Sequence, residues 1–138
     1  MLDKGVLRVV DANFNRSKEG LRVIEDIFRF VWQDDFLRKK IRTLRHRLDI
    51  LKKEKLIRIA INARDSKQDL GKKIDYLEIK RTDVNSILYA NIQRVKESMR
   101  VLEEFLKLNS PSHVYRIKKM RYEIYTLEKE IFKLWPPF

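Results

Sequence analysis

Two copies of one polar trio stand out as chemistry: Asn13, Arg16 and Glu19 at steps of three, and Asn91, Arg94 and Glu97 at the same steps. Arginine offers a planar fork of five N–H donors, carboxylates accept hydrogen bonds or ligate hard cations, and the asparagine amide can donate and accept. With 100° per residue and Asn13 at zero, the apolar positions around the first trio fill an arc of about 200°. Asn13 falls near its middle, Arg16 inside it and Glu19 at its border, while Arg22, Asp26 and Arg29 fall outside. The second trio repeats that placement. Both are expected to point into the fold, where an arginine must meet carboxylates or a bound anion. The alternative is structural: Arg16–Glu19 and Arg94–Glu97, as i,i+3 pairs, could satisfy each other and fix helix register.

A second cluster lies in the polar segment at Arg64-Asp65 and Asp69-Leu70-Gly71. A loop of this composition could close over a phosphate and a magnesium ion, with aspartate oxygens as hard ligands. A solvated linker is its alternative. His46, flanked by Arg45 and Arg47, reads as a half-buried packing residue or minor contact rather than a base. Trp32 and Trp135 read as plugs at helix ends. The chain holds no GxxxxGK[ST] loop, GxGxxG turn, HExxH or GxSxG, so phosphoryl transfer here would not use a glycine cradle.

Four amphipathic segments must position these groups. The first runs from about Val6 to Trp32 and the second follows Asp34 or Asp35 with the stripe Leu37, Ile41, Leu44, Leu48 and Leu51. The third starts at Thr82 or Asp83 and reaches Leu108; Ser110 and Pro111 begin the fourth, which Pro136 and Pro137 end. Residues 62–81 form a long polar connection, with a short helix or strand expected near Leu56 to Ala60. Asp11–Phe30 aligns with Tyr89–Leu108 at an offset of 78, and Lys39–Glu54 echoes Tyr115–Glu130. The internal repeat, 6–54 and 84–130, predicts an all-α helical bundle of two related αα-hairpins with pseudo-twofold symmetry in a single domain, 1–138. Packing alone explains repeated apolar positions. Repeated Asn, Arg and Glu call for a further reason.

Composition narrows the function classes. The 138 residues include 3 Gly, 3 Pro and no Cys, which excludes thiolate metal sites, cysteine nucleophiles and a disulfide framework. No apolar run approaches the ~20 residues of a membrane span. The N-terminus lacks a signal-peptide pattern, so a cytoplasmic location is expected. A formal charge of +12 asks for an anionic partner. Arg38 to Arg58 carries a local net of +8, but opposite a Leu/Ile stripe and without interleaved aromatics, so nucleic acid is the weaker partner.

At DANFNRSKEGLRVIEDIFRF (Asp11–Phe30) the chain resembles the all-helical hydroxymethylpyrimidine-phosphate kinase domain of thiamin biosynthesis, found alone or fused ahead of thiamin-phosphate synthase. Leu44–Leu48, Ala63–Gly71, Ala90–Phe105 and Met120–Lys129 extend the resemblance; Leu70, Gln93 and Ser98 depart from the usual pattern. Ending at WPPF, the chain reads as a stand-alone member or an excised domain. The resemblance implies that ATP phosphorylates 4-amino-5-hydroxymethyl-2-methylpyrimidine phosphate to its pyrophosphate, and the chemistry of such a transfer calls for a metal on the nucleotide phosphates, expected to be magnesium. For such a transfer Arg16 and Arg94 are expected to clamp phosphates, and Arg64 and Asp65 to close over the substrate. Glu19, Glu97 and Asp65 or Asp69 are expected to hold magnesium, with Glu19 and Glu97 joining the arginines as catalytic groups. Asn13 and Asn91 would orient the pyrimidine or a phosphate. Two other readings are a non-catalytic accessory domain of thiamin-phosphate synthase and a basic nucleic-acid-binding module. Apolar surface left bare by a hairpin favours a homodimer.

Overall fold

Capping residues set the helix boundaries in the computed structural model, which describes residues 3–51, 54–73 and 81–137. The Asp3 carboxylate accepts from the Val6 N–H at 3.1 Å and starts α1, Lys4–Asp26. α1 passes into a π-helical turn, Ile27–Val31. Asp34 accepts from the Leu37 N–H at 3.1 Å and starts α2, Asp35–Ile50. A short α3, Lys55–Ala60, tightens into a 3-10 turn, Ile61–Ala63, so the element expected near Leu56 is helical. Asp83 and Ser86 form a reciprocal capping box ahead of α4, Val84–Leu106, and Pro111 opens α5, Pro111–Leu134. No strand occurs among the described residues, and the class is the all-α bundle expected. Residues 74–80 of the connection, and 52–53 in the first repeat, lie outside the described residues.

Two local expectations are corrected. Ser110 precedes α5 but makes no side-chain cap; its hydroxyl pairs with His113 Nδ1 instead. The first apolar stripe does not continue to Val31, because the π turn breaks the 100° period and leaves Phe30 61% and Val31 55% exposed.

α1 lies along α4, α2 packs on α1, and α5 packs on α4. Leu21, Ile24, Phe28, Leu37, Ile41, Leu48, Met99, Leu102 and Ile117 are fully buried between them. Small residues bring α1 and α4 together. A Cβ added at Gly20 would sit 2.7 Å from Val95 Cγ2, and the Ser17 and Ser98 hydroxyls meet at 2.7 Å in the core. At the offset of 78, Gly20 corresponds to Ser98 and Ser17 to Val95, so exchanging the repeats maps one contact onto the other. Trp32 and Trp135 stack with centroids 4.2 Å apart, as the plugs expected at the helix ends. No helix among the described residues is long and apolar enough to cross a membrane.

Each hairpin also encloses an ion pair. Glu103, 2% exposed, accepts from Arg121, whose NH1 donates to Tyr125 Oη at 2.7 Å. These bonds hold the Arg121 guanidinium more firmly protonated than a free arginine, against the opposing effect of burial. Glu25, also 2% exposed, lies 3.3 Å from Arg45 and 3.1 Å from Arg22. The basic face of α2 is largely engaged: Arg38 and Lys39 pair with Asp35 and hold its carboxyl below the usual range, Lys40 reaches Glu130 at 2.9 Å, and Arg47 meets Glu123. The last two tie α2 to α5.

Gly20→Ala is expected to destabilise the protein by about 1–3 kcal/mol, because Val95 is stiff at χ1 and cannot yield. Val95→Ala in that background should cost less than in the parent, a coupling that thermal unfolding of the four-member cycle would read. Glu103→Ala should cost about 3–5 kcal/mol by stranding Arg121 in the core. Glu25→Ala should cost less, since Arg45 is 17% and Arg22 51% exposed and water can solvate them. Urea denaturation of the two variants tests that order.

Candidate functional site

Two clefts meet at Arg16. The first, about 470 Å³, lies between the N-terminal half of α1 and residues 64–69; Arg8, Asp11, Asn15, Arg64, Asp65 and Asp69 contribute its polar groups. The second, about 420 Å³, lies between α1 and α4, with Arg81, Gln93, Arg94, Glu97 and Ser98 on its wall. Asn13 and Arg16 line both.

The two asparagines hold matching poses. Asn13 Nδ2 donates to the Val9 carbonyl at 2.9 Å, and Asn91 Nδ2 to the Ile87 carbonyl at 2.8 Å, which are equivalent bonds at the repeat offset. Both residues are buried. Using the amide nitrogen on the helix backbone orients the oxygen outward, and Asn13 Oδ1 accepts from Arg16 Nη1 at 3.3 Å. Asn13 thus steadies the guanidinium that the clefts share.

Of the two trios, only the asparagines point into the core as expected. Arg16, Glu19 and Glu97 are exposed and Arg94 is half-buried. Ala12 and Phe30, both about 100° from Asn13 on the Arg16 side, set that edge of the expected apolar arc, but Ala12 is half-buried and Phe30 lies in solvent. With Phe30 in solvent, the buried positions of α1 centre about 60° away from Asn13, on the side of Phe14 and Leu21, and Arg16 stands at the rim. No ion pair joins Arg16 to Glu19 among the described residues. The arginine that would be too costly to bury is therefore left on a cleft wall, open to an anion.

Arg64 is also placed differently from the expectation of a free phosphate clamp. Its Nε and NH2 donate to the two Asp11 carboxylate oxygens at 2.7 and 2.8 Å, a bidentate pair that staples the end of the 3-10 turn to α1. Asp11 is 10% and Arg64 43% exposed. The bonds to Asp11 hold Arg64 more firmly protonated, and the Glu19 charge adds to this. The partners are 53 positions apart, so no local spacing announces the pair. Arg8, whose counterpart in the second repeat is Ser86, and Arg81, which precedes that repeat, were likewise missed because neither is duplicated.

The expected magnesium ligands do not gather. Asp65 and Asp69 line the first cleft, Glu97 the second, and Glu19 a third hollow of about 300 Å³ beside Lys18, Arg22 and Arg45. Asp65 Oδ1 accepts from the Gln68 N–H at 3.1 Å and Asp69 Oδ1 from the Gly71 N–H at 2.8 Å. Among the described residues no three histidine, cysteine or acidic groups come close enough to hold a metal ion. These residues do not fit a resident magnesium caged by protein. A magnesium carried on nucleotide phosphates asks only one or two carboxylates of its host. His46 is exposed on α2 rather than half-buried and lines neither cleft.

With this geometry in place, comparison with known proteins gives one consistent neighbourhood. A model described as the ThiD2 family matches residues 8–130. Thiamine-phosphate synthase of Synechocystis sp. is 39% identical over 124 residues, covering 89% of this chain and 35% of that protein. The protein of the same name from Nostoc punctiforme is 39% identical over 127 residues, and that from Rhodopirellula baltica 33% over 127 residues. The chain thus spans about a third of the length of these relatives, 34–35% in the three cases. No solved structure matches.

The Asp11–Arg64 staple generates a direct expectation. Asp11→Asn removes the charge and one acceptor, so amides in residues 61–73 should exchange with deuterium faster while those of α4 and α5 keep their protection. Unchanged exchange at 61–73 would show that the ion pair does not hold this segment.

Proposed function

We propose, from the premise that the chain belongs to the ThiD2 family, that it phosphorylates 4-amino-5-hydroxymethyl-2-methylpyrimidine phosphate with ATP in thiamin biosynthesis. The observation that carries the reading is Arg16, which lines both clefts and has no carboxylate partner among the described residues. Two phosphorylated substrates need two compartments and a cation where their phosphates meet.

In this reaction a phosphate oxygen of the pyrimidine substrate attacks the γ-phosphorus of ATP. The bond from that phosphorus to the β–γ bridging oxygen breaks, and ADP leaves with the electron pair. A phosphate monoester is largely ionised near pH 7, its second pKa lying at about 6, so the nucleophile needs no general base. What the protein must supply is charge neutralisation and alignment between two mutually repelling anions. Arg16 takes the shared position and Arg94 faces the same space from α4. Asn13 holds Arg16 in pose, and Asn91 occupies the matching place on the other helix. Magnesium would enter as part of the nucleotide substrate, with Glu97 on the wall of one cleft and Asp65 and Asp69 on that of the other as the carboxylates that could meet it. The net charge of +12 draws both anions in.

The relatives named thiamine-phosphate synthase favour one other reading, an accessory domain that binds the pyrimidine phosphate for a synthase without transferring phosphate. Incubation with ATP, magnesium and the pyrimidine phosphate, followed by mass detection of the pyrimidine pyrophosphate, separates the two. Product that requires the pyrimidine substrate supports the kinase; binding without product supports the accessory domain. Arg16→Ala and Arg94→Ala should each lower kcat/KM by about 10²–10³-fold while leaving the far-UV circular dichroism unchanged. Parental activity in both folded variants would overturn the assignment of the clamp.

A further inference from the structure

We infer that the apolar end of the bundle, where α1 and α5 finish and α2 begins, is the contact through which two molecules of this chain form a twofold dimer. Contacts around this end join its residues into one face. Trp32 stacks on Trp135 at 4.2 Å; Val31 precedes the first and Leu134 the second. Lys40 links Phe36 to the same helix end, its Nζ lying 4.4 Å from the centre of the Phe36 ring and 2.9 Å from Glu130, one turn before Leu134. Phe36 and Leu134 are 65% and 61% exposed, and with Phe30 and Val31 they put on the order of 400 Å² of apolar surface here. A patch of that size on a small protein marks an interaction site rather than scattered surface residues. The inference does not rest on the kinase reading, for none of these residues lines either cleft.

The backbone keeps these side chains outside. The π turn Ile27–Val31 carries Phe30 and Val31 off the buried stripe of α1. Two residues further on, Gln33 has a φ of 52°, a left-handed conformation that non-glycine residues seldom adopt. Both features are uncommon and gather where function holds them. The rim then selects a copy of the chain as occupant. A protein of net charge +12 repels itself unless the meeting faces are close to neutral. At this end Arg38 and Lys39 pair with Asp35, Lys40 pairs with Glu130, and Arg29 lies over the Phe30 ring at 4.8 Å. Lys133, exposed in the last turn of α5, adds one cation without such a contact among the described residues. An acidic partner would find little free positive charge here. The exposed tyrosines of α5 make the contrast, because Tyr115 and Tyr122 stand beside the exposed Lys118 and Lys119, where two such chains would repel. Two of the apolar ends, with Pro136 and the rim, approach the ~1,000 Å² of total buried surface expected of a specific interface, and a twofold contact lets one patch serve both molecules.

Sedimentation velocity of the full chain tests this. The parent is expected at about twice 16.8 kDa at micromolar concentration. The dimer should hold or tighten as salt is raised, because the contact is apolar and the net charge opposes it. Phe30→Glu and Leu134→Glu, at positions already in water, should each weaken association about tenfold or more with unchanged far-UV circular dichroism, although each lowers the repulsive net charge. Two variants serve so that one folding defect does not decide the result. Tyr115→Glu, on the other face, should leave association within about twofold. A parent that stays at 16.8 kDa up to about 100 µM would overturn the proposal and leave the apolar end to a different protein. A dimer that Tyr115→Glu disrupts, or that survives both other variants, would put the contact elsewhere and overturn it equally. Dissociation on raising salt would overturn the apolar basis of the contact.

Discussion

The near-contact of α1 and α4 at Gly20 governs the geometry of everything around it. With no side chain at that position, Val95 fits against the α1 backbone, and the Ser17–Ser98 hydrogen bond closes the same crossing. A tighter or looser approach would move the two helix faces that carry Asn13 and Arg16 on one side and Arg94 and Glu97 on the other. Because buried polar groups are costly unless bonded, the serine pair also penalises any slip of one helix along the other. The site is therefore held by backbone proximity in the core rather than by the loops that cover it.

The buried ion pairs act on a different part of the problem. Glu25 with Arg45, and Glu103 with Arg121, each join the first helix of a hairpin to the second. Such pairs add little net stability over an apolar substitute, but a mispaired hairpin would leave a charge uncompensated in the core. They specify which faces meet. This explains why glutamate and arginine recur at these repeat positions without lining either of the two clefts. Part of the repeated polarity is thus architecture.

Much of this was legible in the sequence where periodicity is strong. The stripes from Leu37 to Leu51 and from Ile117 to Ile131 lead directly to α2 and α5, and Asp34, Asp83 and Pro111 mark the starts of three helices. The first helix was harder. Ala12 and Phe30 marked the edge of the apolar arc nearest Arg16, but Ala12 is half-buried and Phe30, in a π turn where the angular step changes, is exposed. Long-range pairs left no trace at all: Asp11 and Arg64 are brought together only when α3 folds back onto α1. The carboxylates expected to share a metal were grouped by chemical type, and helix geometry distributes them over three hollows.

That distribution bears on how a duplicated hairpin could serve two unlike ligands. Identical copies facing each other would give two similar half-sites, each with the same asparagine, arginine and glutamate. Here the flanks differ. The first copy is followed by α3 and the Asp11–Arg64 staple, which bring Asp65 and Asp69 beside Asn13 and Arg16. The second copy is preceded by Arg81 and has no equivalent covering segment among the described residues. Asp65 and Asp69 thus stand on one side of Arg16, and Gln93, Arg94 and Glu97 on the other. The duplication supplies Arg16 at the boundary the two clefts share and Arg94 on the wall of one of them, and the connection between the copies makes the two sides of that boundary chemically distinct.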